Sequence, residues 1–249
     1  MDPYAQFAPF YDSLPVYLAR EDVRFYVEEA KASGGPVLEL GCGSGRVLVP
    51  VAQAGIAVTG LDPSPSMLEL CRQRLAKEGL TAELVSGDMR RFSLGRRFPL
   101  ITIPFRPFQH LLEVDDQIAC LAAVREHLAL GGKLIFDVFD PNLKMLAAES
   151  GIEVPVSEFD LPDGRHARLS YCRREHDRIR QVLNIEMIGE VDGQRHVSSL
   201  WLRYNFRWEM EHLLARCGFR IEHLYGDFSR HPVSDGTGDL IFVTTDEHR

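Results

Sequence analysis

The sequence is poor in the features that would make it a metal, redox or nucleic-acid protein. Its 249 residues hold five cysteines, Cys42, Cys71, Cys120, Cys172 and Cys217. They are scattered singly, without the C-x-x-C spacing of a zinc or dithiol site, and the odd count argues against a disulfide framework. Each is read as a small buried hydrophobe in a reducing compartment. Positive charge is also short: 28 Lys+Arg against 36 Asp+Glu leaves a net charge of −8. That removes the broad electrostatic term that drives binding to nucleic acid. No apolar stretch is long enough to cross a bilayer, and the N-terminus lacks the basic start and apolar run of a signal peptide. The expectation is a cytoplasmic protein that binds neither nucleic acid nor membrane.

What is present is an ordinary core-forming composition, 45% hydrophobic with 20 glycines and 14 prolines and no low-complexity tract. The length suits one large α/β domain carrying an insert. Residues 1–35 read as an aromatic arm, with Pro3, Pro9 and Pro15 among Tyr4, Phe7, Phe10, Tyr11 and Tyr17, followed by a helix over residues 18–31. Short apolar strands then alternate with helices. Strands are expected at 37–40, 57–61, 82–85, 100–103 and 133–139. Helices are expected at 46–54, from Ser64 through Leu75, and at 115–130, the last stopped by Gly131-Gly132. This rhythm predicts a doubly wound, mostly parallel sheet.

After Asp140 the period changes to two. Residues 167–175, 182–190 and 194–206 read as an antiparallel insert, with Asp192-Gly193 as a hairpin turn. A helix ending at Gly218 and strands at 219–224 and 240–244 then complete the sheet with an antiparallel edge. The predicted organisation is a Rossmann-like core over 36–140 and 207–249, with the insert over 141–206 covering the substrate site.

The most informative segment is VLELGCGSG (Val37 to Gly45), a strand running into a glycine turn at a helix N-terminus. A dinucleotide fingerprint wants glycine at the sixth position of that turn, where this chain has Arg46. That counts against a nicotinamide cofactor. Asp62 ends the second strand and Asp88 follows the third, so the two acids flank the position where open α/β sheets bind ligands.

Together these motifs resemble those of class I S-adenosylmethionine-dependent methyltransferases, over nearly the whole chain. The resemblance implies that Glu39 precedes the turn and that Gly41, Gly43 and Gly45 make room for the methionine part of the cofactor. In LDPSPSML (Leu61 to Leu68), Asp62 would hold the ribose hydroxyls and Met67 would line the adenine pocket. In GDM (Gly87 to Met89), Asp88 would accept from the adenine amino group beside the Met89 backbone. Ile103, closing the fourth strand, completes the implied cofactor set. HLALGGKLIFDVF (His127 to Phe139) resembles the stretch leading into strand five, and Pro99 departs from the acid the family usually shows. The product would be S-adenosylhomocysteine.

On the acceptor side, IPFRPFQHLL (Ile103 to Leu112) lacks the Asn-Pro-Pro-aromatic and Pro-Cys signatures of nucleic-acid base methylation. It offers His110, placed as in amino-sugar N-methyltransferases, as a group to take or orient the acceptor's proton. Arg106 is a candidate for an anionic part of the acceptor. Tyr11 resembles the aromatic that folds over the cofactor in that subgroup, and Tyr4 is a weaker candidate near the acceptor. The arginines at 173, 174, 178 and 180 form a local basic run in the insert that a solvated hairpin explains equally well. Asp137, Asp140 and Asn142 are read as strand-end and turn formers, with no metal expected. The expected function is methyl transfer to an amine or hydroxyl of a small molecule. The alternatives are a protein or peptide methyltransferase, a nicotinamide-dependent oxidoreductase, and a cofactor-binding protein without catalysis. Monomer and homodimer both stay open.

Overall fold

A computed structural model describes residues 20–161 and 163–247; the arm, with Tyr4 and Tyr11, lies outside them. The core elements run α1 (Asp22–Ser33), β1 (Val37–Leu40), α2 (Leu48–Gln53), β2 (Val58–Asp62), α3 (Pro65–Lys77), β3 (Glu83–Ser86) and β4 (Phe98–Ile103). A 3-10 turn (Pro107–His110), α4 (Val114–His127) and β5 (Leu128–Phe139) follow. The insert holds α5 (Leu143–Ala147), β6 (Glu153–Asp160), β7 (His166–Asp177), β8 (Val182–Val191) and β9 (Gln194–Arg203). The chain returns through α6 (Arg207–Arg216), β10 (Phe219–Tyr225) and β11 (Asp239–Asp246).

The seven-stranded sheet has the order β10-β11-β5-β4-β1-β2-β3. Strands β1 to β5 pair in parallel. At one edge β11 runs antiparallel to both β5 and β10, so the reversed strand lies one place in from the rim. The order reverses between β1 and β4, which opens the crevice at their carboxyl ends.

Period two along the strands sorts the core into two faces. Leu38, Leu61, Ile101, Phe136 and Phe242 face α4 and α6 through Leu121, Val124, Met210 and Leu214. Val37, Val58, Leu100, Ile135 and Ile241 face α1, α2 and α3 through Phe25, Val49, Leu68 and Cys71. Each fully buried large side chain of this kind contributes about 1.5–3 kcal/mol of transfer free energy.

Two local expectations are corrected. The helix over 115–130 ends at His127, because Leu128 already turns extended and pairs with Phe98. Gly131-Gly132 therefore lies within β5 rather than beyond a helix. Gly131 adopts φ 70°, and a side chain on Gly132 would come within 3.0 Å of the Phe98 carbonyl. Those residues take up the register shift by which Leu100 pairs with Lys133. The helix expected from Arg46 starts only at Leu48, which puts Pro50 in its first turn, where the missing N–H has no intrahelical acceptor to lose.

The insert is a four-stranded antiparallel sheet, β6-β7-β8-β9. Asp192 and Gly193 take φ 52° and 72°, the conformation of a type I′ hairpin, and Val191 pairs with Gln194 across it. Strand β6 escapes sequence reading because most of its side chains are exposed on both faces of an edge, leaving no alternation. One face of the insert rests on the core: Leu169, Phe159 and Met187 pack with Phe105, just past the end of β4.

Candidate active site

The glycine turn follows from where β1 ends. Gly41 and Cys42 both donate to the Leu61 carbonyl, and Gly43 donates to the Asp62 carboxylate at 2.8 Å. Gly41, Gly43 and Gly45 have φ of 69°, 54° and 83°, a region that costs other residues about 1–2 kcal/mol. The missing side chains also allow close packing. A Cβ on Gly41 would lie 2.6 Å from Pro107 Cβ, and one on Gly45 would lie 2.6 Å from the Cys71 sulfur of α3. Gly41 thus lets the segment after β4 sit directly on the glycine turn. Met67 and Met89 are both buried, and their methyl ends come to 3.3 Å and 3.6 Å of the Cβ positions of Gly43 and Gly41.

Asp62 is 7% exposed, and its oxygens accept from Gly43 N and Ser64 N at 2.8 Å each. These two backbone donors, one from the glycine turn and one from the start of α3, fix the orientation of the carboxylate. Ser64 in turn caps α3 by accepting from Met67 N at 3.2 Å. Asp88 is gripped by the Arg90 guanidinium, whose hydrogen bonds hold its carboxyl below the usual range against the opposing effect of burial. It remains an ionised acceptor. Burial pushes the Glu39 carboxyl well above its ordinary value, and Glu39 Oε2 has no hydrogen-bond partner among the described residues.

The acceptor side is built on the 3-10 turn. Phe108 is fully buried, with its ring 5.3 Å from that of Phe136, and anchors the turn in the core. Gln109 is also fully buried. Its Nε2 donates to the Arg203 carbonyl at 3.2 Å, and its Oε1 accepts from Phe139 N at 3.0 Å. His110 is exposed on the surface of the described residues, and desolvation pushes its pKa below the ordinary histidine value, partly offset by its bond to the Trp201 carbonyl. That bond is 3.1 Å from Nδ1. A carbonyl only accepts, so Nδ1 carries the proton of the neutral ring and Nε2 the lone pair.

A charged cluster that the sequence did not reveal supports the same loop. Asp137 is fully buried on β5 and accepts from Arg20 at 2.9 Å, from the Tyr26 hydroxyl at 2.7 Å and from Phe105 N at 2.8 Å. Arg46 and Arg20 both donate to Asp22; burial pushes that carboxyl up, but the two guanidiniums outweigh it and hold it low. Arg20 and Arg46 each lie 4.9 Å from the centre of the Phe105 ring. Phe105 and Arg106 adopt φ of 66° and 72°, strained values for non-glycine residues that the surrounding bonds sustain.

The turn at 41–45, Met67, Asp62 and the Pro107–His110 turn are thus joined by direct contacts or hydrogen bonds. Ile103 is fully buried at the end of β4, behind that turn. Arg106 donates to Asp239 at 2.6 Å, so its charge is already matched within the fold. Arg173 donates to the carbonyls of Met145 and Leu146, Arg174 pairs with Glu186 and Arg180 with Glu113, which ties the basic run to its own neighbourhood. Asn142 caps α5, and no group of His, Cys, Asp or Glu suited to a metal occurs among the described residues. No helix of the described residues is long and apolar enough to cross a membrane. Residues 105, 109, 137 and the Trp201 carbonyl were missed because positive φ and long-range hydrogen bonds leave no local pattern.

A strand–glycine turn–helix unit, acids at the ends of β2 and β3, and a buried carboxyl with an orphaned oxygen fit a ligand with a cationic group and a nucleoside. The methyltransferase domain family matches residues 37–132. The cypemycin N-terminal methyltransferase of a Streptomyces species is 35% identical over 84% of this chain and 82% of its own. The dTDP-3-amino-3,6-dideoxy-alpha-D-glucopyranose N,N-dimethyltransferase of Streptomyces fradiae is 32% identical over 82% of this chain and 78% of its own. Among solved structures, the CcbJ methyltransferase from Streptomyces caelestis superposes with a TM-score of 0.87 at 26% identity, covering 99% of this chain and 98% of that one. The chain belongs to the class I S-adenosylmethionine-dependent methyltransferases; it is an enzyme of that class, and S-adenosylmethionine is its cofactor.

Proposed function

We propose that the enzyme methylates an amine of a small molecule, with an amino sugar as the leading acceptor class and His110 as the group that takes the proton. The observation carrying this is the His110 ring, oriented by the bond from its Nδ1 to the Trp201 carbonyl so that Nε2 is the nitrogen left to accept. In this reading Asp62 holds the ribose hydroxyls, Asp88 and the Met89 backbone read the adenine, and Met67 and Ile103 line its pocket. Glu39 answers the cofactor's ammonium, beside the backbone of Gly41, Gly43 and Gly45. S-adenosylmethionine supplies a methyl on a sulfonium, which leaves as a neutral thioether when the acceptor's lone pair takes the methyl carbon. The residues' work is then alignment, exclusion of water and removal of the proton that the nitrogen sheds, which passes to His110 Nε2. Tyr11 and Tyr4 remain candidates for covering the cofactor and acceptor.

Two kinds of amine are supported by named relatives: an amino sugar in the Streptomyces fradiae enzyme and a peptide N-terminus in the cypemycin enzyme. The acid composition, with net charge −8, supports an enzyme with no nucleic-acid partner, and a cytoplasmic location belongs to the same reading. The test is a methyl-transfer screen over nucleotide-linked amino sugars, simple amines, catechol-type hydroxyls and short peptides, run with wild type and His110→Ala. Turnover of an amine with wild type, and a loss of about 10²-fold or more in kcat for the variant with cofactor affinity unchanged, is expected. A hydroxyl-only substrate range, or equal activity of the two proteins, would overturn the proposal.

A further inference from the structure

The seam between the 3-10 turn and β9 is a junction at which the insert meets the His110 side of the core by directed hydrogen bonds. Three bonds cross it. His110 Nδ1 meets the Trp201 carbonyl, Gln109 Nε2 meets the Arg203 carbonyl, and Arg203 donates back to the Leu112 carbonyl at 2.9 Å. Trp201 and Arg203 are two apart on one strand, so their carbonyls point the same way off the β9 edge. Gln109 and His110 meet them as neighbours in the turn.

Gln109 is the member of this seam that also reaches the main sheet. Its amide oxygen accepts from Phe139 N at the carboxyl end of β5 while its NH2 holds β9. Both partners are backbone groups and the side chain is fully buried, so the spacing between β5, the turn and β9 is set by one rigid amide. A backbone N–H and a carbonyl left without that amide would each stay buried and unpaired, and the cheapest relief is for β9 to shift away and admit water.

We infer that Gln109 is a positioning residue for methyl transfer: by clamping β9 against the turn, it holds the Trp201 carbonyl on His110 Nδ1 and thereby keeps the proton-accepting lone pair on Nε2. The inference rests on the reading of His110 given above. The insert is then more than a cover, since one of its strands sets the tautomer of the base. In water the neutral imidazole favours the other tautomer, with the proton on Nε2, where it cannot accept. Loss of the clamp therefore makes the competent form the minor one as well as loosening the ring.

The test compares Gln109→Leu and Gln109→Glu with wild type in the full-length enzyme. Leucine removes both bonds. Glutamate keeps the shape and still accepts from Phe139 N; its ionised form cannot donate to the Arg203 carbonyl and breaks only the β9 side, whereas its protonated form can donate there, so this variant is followed over a pH series and compared above its own titration. The readouts are the His110 tautomer, by long-range 1H–15N correlation on 15N-histidine-labelled protein with His110 assigned by its absence in His110→Ala, and kcat with the KM for S-adenosylmethionine. The expected result is a shift of His110 toward the Nε2–H form in both variants, a fall in kcat of about tenfold or more, and an unchanged KM for the cofactor. If leucine prevents folding, the glutamate variant decides alone. Retention of the Nδ1–H tautomer in a folded variant overturns the inference, whether or not kcat falls, because a merely structural glutamine would lower activity without moving the proton. Wild-type activity of His110→Ala would instead overturn the base assignment, and the tautomer readout would still report on Gln109.

Discussion

Replacing Gly41 with alanine tests the contact on which the site depends. Gly41 sits at φ 69°, and its added methyl would meet Pro107 Cβ and Cγ at 2.6 Å and 2.7 Å. Two carbons rest at about 3.5–4.0 Å, so one side of the contact must retreat by about 1 Å. The left-handed conformation costs alanine about 1–2 kcal/mol, and overpacking at this half-buried contact adds about 1–3 kcal/mol. The expected loss is about 2–5 kcal/mol, which for a chain of this length lowers Tm by roughly 4–20 °C. The strain falls on Pro107, the first residue of the turn carrying His110, so kcat should drop along with cofactor affinity. Thermal and urea unfolding measure the stability, and calorimetric titration with S-adenosylmethionine measures the affinity. The steric part is isolated by a double-mutant cycle with Pro107→Gly, which removes both opposing atoms. The coupling should be about 1–3 kcal/mol, the overpacking share, while the backbone share stays. Strict additivity of the two substitutions, or a Gly41→Ala enzyme with unchanged stability and affinity, would refute the packing argument.

Asp137→Asn removes the charge that Arg20 faces while keeping the shape. It should cost about 1–3 kcal/mol in urea unfolding, since a charge-assisted bond is lost while Arg20 keeps Asp22 and Asp239 as partners, and an unchanged stability would contradict the role given to that cluster. If His110 takes the proton as proposed, the pH dependence of kcat/KM should carry an acid limb below the ordinary histidine value of about 6.5, because desolvation lowers the His110 pKa and a base must be neutral to accept. The sign follows directly: rate is lost as pH falls through the lowered pKa and is full above it. The limb should vanish in His110→Ala, and its persistence there would assign it to another group.

Much of the core was legible because its signals are local. Val37 to Leu40 and the glycines after it form a strand and turn through their own backbone preferences, and Ser64-Pro65 starts α3 through a cap that needs only neighbouring residues. The hairpin at Asp192-Gly193 was legible for the same reason. The end of α4 was not, because Leu128 pairs with Phe98 thirty residues away and that bond outweighs the stop signal of Gly131-Gly132. Strand β6 was not, because an edge strand exposed on both faces carries no alternation.

At the site the division is equally physical. The sequence marked the candidate cofactor side, where glycines, Asp62 and Asp88 follow successive strands at spacings fixed by one strand–turn–helix unit after another. It also singled out His110 by position. Only the tertiary structure decided what that histidine can do: which of its nitrogens bears the proton depends on the Trp201 carbonyl, ninety-one residues on, and on Gln109 bridging two sheets. It likewise gave Arg106 to Asp239 and drew Asp137 into a buried cluster with Arg20 and Tyr26. Hydrogen bonds between segments far apart in the chain depend on how β5, the turn and β9 are brought together. Residue order alone carries no periodic trace of them, because each such bond is made once.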